Sequence, residues 1–181
     1  MQRTLGLAVL HRHFDLEPGE RLVEYNAVTA PWRMPESLKL LRGKVFPKAW
    51  AFGAASSSEE GLELFPYEFG FDPEAGDGAE GGGVVFRKEF VQELRDVLVR
   101  EGLVGTYGVC AVGEEEGLPG RRLLEFTAGR TSVVVPLPGG GLGEEEMRRV
   151  VEATWVFPCI EGVDGAKLRL CAKECYGHKG P

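Results

Sequence analysis

Leu62-Glu63-Leu64-Phe65-Pro66-Tyr67-Glu68-Phe69-Gly70-Phe71 sets Phe65, Tyr67, Phe69 and Phe71 two residues apart. A period-two aromatic row marks a strand that lays one face across a core. Pro66 has no N–H for a ladder, so this strand is expected at a sheet edge or at a bulge. Glu68 shares its face with Leu62 and Leu64. A carboxyl in apolar surroundings has its pKa raised, as a general acid requires, whereas an ion pair with Arg12 is the ordinary explanation.

Working outward, Thr4–Phe14 alternates, with Leu5, Leu7, Val9, His11 and His13 on one face. Glu17-Pro18-Gly19-Glu20 reads as a turn and Arg21–Val28 alternates again, which predicts an antiparallel hairpin or meander from these first two strands. Further strands are predicted over Tyr107–Val112, over Arg122–Val135 with a tight turn near Ala128-Gly129, and over Lys167–Cys171. Two helices are expected. Phe90, Val91, Leu94, Val97 and Leu98 form an apolar stripe over Arg87–Glu101, which Gly102 stops. Gly143–Trp155 places Met147, Val150, Val151 and Trp155 inward, with Glu144/Arg148 and Glu145/Arg149 as ion pairs four apart. A short third helix is read after Pro35, through Leu38, Leu40 and Leu41 to Gly43. The expected fold is α+β: a mainly antiparallel, curved sheet or half-barrel of six to eight strands covered by two principal helices.

The chain has 181 residues, 43% hydrophobic and 27% charged, which suits one domain over 1–181. Asp72–Gly83 holds four acids, five glycines and a proline and reads as a flexible surface loop, and a polar tail is expected from residue 172. No internal repeat is read. A net charge of −7 without a basic block disfavours nucleic acid and anionic membranes as partners, leaving a protein or a small molecule. The apolar run before His11 is too short for a secretory core or a membrane span, which points to a cytoplasmic or nuclear, reducing setting.

In that setting cysteines are thiols or metal ligands. Cys171, Cys175 and His178, with Cys159 upstream, make a candidate tetrahedral zinc site; unlinked thiols beside a surface histidine are the alternative. His11 and His13 project the same way from a strand, and with Arg12, Asp15, Glu24 and Glu68 they form a candidate acid–base site; hydrogen-bonded pocket histidines are the alternative. Trp32, Trp50 and the aromatic row read as core packing before they read as a ligand pocket. The glycines at 139–141 before Glu144, Glu145 and Glu146 do not cradle phosphate, because three carboxylates occupy the first helical turn.

Gly6, His11, His13, Glu17 and Gly19 resemble a loose form of the cupin first motif, which implies iron, manganese or zinc in a β-barrel. The glycine spacings depart from that motif, and its second half has no counterpart here. His11-Arg12-His13-Phe14, Ala30-Pro31-Trp32 and Pro66-Tyr67-Glu68-Phe69 are similar to segments of uncharacterised intracellular proteins of filamentous fungi, which carry no activity over. With no complete catalytic constellation, the leading functional expectation is a binding or interaction domain, possible zinc at the Cys/His cluster included; the competing one is a small enzyme on the His11/His13 face.

Overall fold

The computed structural model describes residues 4–10, 14–33, 45–54, 62–74, 84–112, 123–137, 142–156 and 170–176. The helix expected after Pro35 and nearly all of the glycine-rich acidic loop lie outside them. Ten strands close into a barrel: β1 (Thr4–Val9), β2 (Glu20–Tyr25), β3 (Val28–Arg33), β4 (Val45–Ala54), β5 (Leu62–Phe71), β6 (Tyr107–Val112), β7 (Leu123–Ala128), β8 (Thr131–Pro136), β9 (Val150–Val156) and β10 (Leu170–Tyr176). Round the wall the order is β1-β6-β4-β5-β2-β3-β8-β7-β10-β9, and β9 returns to β1. Neighbours are antiparallel except β2/β5 and β7/β10.

This corrects the α+β half-barrel with two principal helices. The stripe over residues 90–98 does form a helix, α1 (Lys88–Arg100), which joins β5 to β6 and buries Leu98. The second expected helix stops after one turn, α2 (Glu144–Met147), although Glu145 still meets Arg149 at 3.8 Å. From Val150 onward the chain is β9, held between β1 and β10. Val150, Val151, Thr154 and Val156 are β-branched, and two waiting strand edges outweigh a weak helical preference. The expected pairing of the first two strands is also replaced. β1 pairs with β6 and β9, while β2 makes its hairpin with β3 through Asn26 and Ala27, both at positive φ. The last strand runs to Tyr176, past the point where a polar tail was expected to begin.

The ring is two copies of one five-strand unit. Advancing every strand number by five maps the order onto itself, so β1–β5 and β6–β10 are related by a pseudo-two-fold axis. The axis passes where equivalent residues face each other, at Leu7/Val109 and at Val28/Val133. Register agrees in detail. Leu22 lies beside Glu68 and Leu123 beside Lys173. Paired register shifts flank Ala49/Glu68 in one unit and Thr154/Lys173 in the other. Sequence echoes the symmetry: Thr4-Leu5-Gly6-Leu7-Ala8 answers Thr106-Tyr107-Gly108-Val109-Cys110, Leu22-Val23-Glu24-Tyr25 answers Leu123-Leu124-Glu125-Phe126, and Trp50 answers Trp155. The shared glycine has one cause in both copies. A Cβ on Gly6 would stand 2.6 Å from the Trp155 carbonyl oxygen, and one on Gly108 would overlap the Trp50 carbonyl still more closely.

Candidate functional site in the barrel lumen

A cavity of about 70 Å³ opens among residues drawn from all ten strands, which makes it the interior of the barrel. That is several times the space one water needs. Part of its wall is apolar, including Ala8, Leu22 and Val112; the remainder carries Thr29, Thr154, Tyr67, Lys48, Glu68, Glu125 and Lys173.

Alternation along the strands aims the charges. Glu24 follows Leu22 by two residues and so shares its inward face, where Lys48 Nζ meets the Glu24 carboxylate at 2.5 Å. Lys48 is the extra residue between the first pair of register shifts, and that bulge turns it inward. Across the lumen Lys173 Nζ stands 2.9 Å from Glu125 Oε2; the Glu125 side chain is 8% exposed and that of Lys173 is 23%. Glu68 stands on β5, the strand between β4 and β2, and lines the same cavity. Its carboxyl touches cavity space and is walled by protein, so loss of hydration pushes its pKa up. Lys173 and Lys48 pull it back less strongly, and Glu24 and Glu125 add to the rise. Lys173 is held well above the usual lysine range, since Glu125 and Glu68 outweigh its burial. Burial, with the Glu68 charge adding to it, also pushes the Tyr67 phenol up, so the phenol keeps its proton.

Chemically, the lumen offers two ammonium–carboxylate pairs and a fifth group, Glu68, that exchanges a proton at a higher pH than an ordinary carboxylate. Among the described residues no side chain hydrogen-bonds Glu68.

Of the residues singled out from sequence, Glu68 lines this site and Glu24 stands beside it. His11, Arg12 and His13 lie outside the described residues, as do Cys159 and His178. Cys175 is fully buried on β10, and burial, aided by the Glu125 charge, pushes its thiol up to about 12. Cys171 lies on the same strand, with the register shifts of β10 between it and Cys175. No group of three or more metal-ligating side chains occurs among the described residues. Lys48, Glu125 and Lys173 had one sequence signal, the Arg-Leu-Val-Glu-Tyr of 21–25 returning as Arg-Leu-Leu-Glu-Phe at 122–126, which points to Glu24 and Glu125.

No family model, curated protein or solved structure matches the chain. Among the described residues no helix is long and apolar enough to cross a membrane.

Proposed function

We propose that the protein is a binding barrel that holds a small polar molecule in its lumen. The observation that carries this reading is the set of charged side chains, Glu24, Lys48, Glu68, Lys173 and Glu125, in and beside an interior cavity. Enclosing charges costs more than filling the same space with apolar groups, so such a lining is better explained by recognition than by stability. Apolar walls with a few converging polar groups are the usual make-up of a small-molecule site.

The test is an NMR titration of the whole protein against small carboxylates, amines, amides and polyols. At least one class is expected to move the amide signals of Thr29, Glu68 and Thr154. Shifts confined to the outside of the barrel would overturn the reading. One observation also supports an acid–base enzyme: burial raises the pKa of Glu68, as suits a general acid. Turnover of a lumen-bound compound, lost in Glu68→Gln while binding persists, would establish that alternative.

A further inference from the structure

Lys48, Glu68, Glu125 and Lys173 line one cavity, and Glu24 meets Lys48 beside it. Lys173 meets Glu125 on the same lining. At Glu68 the attraction of the two ammoniums exceeds the repulsion from Glu24 and Glu125. The four other charges therefore make the space at Glu68 electropositive. The groups that act on Glu68 are Glu24 from β2, Lys48 from β4, Glu125 from β7 and Lys173 from β10, with the Tyr67 phenol beside it on β5.

We propose that the lumen takes a compact monocarboxylate of acetate size, its carboxylate set against the Lys48 and Lys173 ammoniums and hydrogen-bonded by the Glu68 carboxyl. This rests on the binding-barrel reading and adds the ligand class. An ammonium ligand would meet Lys48 and Lys173 head-on, whereas a carboxylate meets their N–H donors. Two ionised carboxylates side by side repel, so the arriving anion holds the proton on Glu68, whose O–H donates to it. Binding is thus coupled to proton uptake at a single residue. Ala8, Leu22 and Val112 offer apolar surface to the methyl group of such a ligand.

The test is calorimetry in two buffers of different ionisation heat, with a parallel NMR titration, using sodium acetate, acetamide and methylammonium chloride over a pH series. Acetate is expected to move the lumenal amides and, above the Glu68 pKa, to take up close to one proton per molecule and to weaken about tenfold per pH unit. Glu68→Gln, which keeps shape and one donor, is expected to bind acetate with no such pH dependence. If acetamide or methylammonium moves the lumenal amides and acetate does not, the binding barrel stands and the carboxylate assignment fails. Acetate bound with pH-independent affinity in the unsubstituted protein also overturns the assignment. If none of the three moves those amides, the carboxylate assignment fails, and the binding barrel fails with it once the polyols are equally silent.

Discussion

The two five-strand units share a skeleton and differ in what they aim inward. Each places a glutamate at the same point of its hairpin strand, Glu24 in the first and Glu125 in the second. The first unit answers its glutamate with Lys48, from the bulge in β4, where the second has Ala153. The second answers with Lys173, at the position where the first has Glu68. One scaffold repeated with its charges moved between strands gives two neutral pairs and one remaining carboxyl. The symmetry belongs to the backbone and the asymmetry to the site.

Removing each lysine tests that contrast most severely. Lys173→Met leaves the deeply buried Glu125 without its ammonium and is expected to cost about 3–5 kcal/mol in denaturant unfolding. Lys48→Met, whose glutamate partner is 17% exposed, is expected to cost less, about 1–3 kcal/mol. Equal losses would mean that the two pairs are equally enclosed, contrary to this description. The glycines test the shared skeleton. Gly6→Ala and Gly108→Ala each press a methyl against an equivalent tryptophan carbonyl, and each should lower stability by about 1–3 kcal/mol. One variant tolerated and the other not would break the two-fold relation at that point.

Glu68 yields a pH signature of defined sign. Its folded pKa is raised, so its contribution to stability is fully present below the ordinary carboxyl value of 4.5 and is lost as pH rises through the folded pKa. Unfolding free energy measured against pH should therefore fall over that window, by at most about 1.4 kcal/mol per unit for one proton, and Glu68→Gln should flatten the slope. The smallest effect concerns Cys175. With its thiol near 12 and its side chain buried, it should resist alkylation at mildly alkaline pH until the barrel is unfolded. Mass spectrometry of the labelled native protein would show it.

The features legible in the sequence were local. Phe65 to Phe71 alternates as a strand should, and the Pro66 signal for a bulge is met by the register shift opposite Tyr67. The stripe over residues 90–98 is a helix, and Ala128-Gly129 turns the hairpin where expected. What could not be read depends on distant partners. Met147, Val150, Val151 and Trp155 satisfy a helical period as well as Val150–Val156 satisfies a strand, and the choice was made by β1, far away in sequence. Closure rests on that same pairing. The repeat was hidden because the β7–β8 ladder runs two pairs beyond Phe126/Val133, the counterpart of Tyr25/Val28, which changes the spacing of equivalent residues midway through the unit. Glu68 could be singled out because a carboxylate among leucines is conspicuous. Lys173, between Ala172 and Glu174 near the end of the chain, read as tail, and with it the second half of the site was missed.

Glu68 shares the lumen with two ammonium–carboxylate pairs and gives up its proton at a higher pH than an ordinary carboxyl. A carbon-13 NMR titration of the glutamate carboxyls tests it directly. Glu68 should titrate above the ordinary value of 4.5, and higher again in the presence of acetate. Titration at or below that value, unchanged by acetate, would contradict the account.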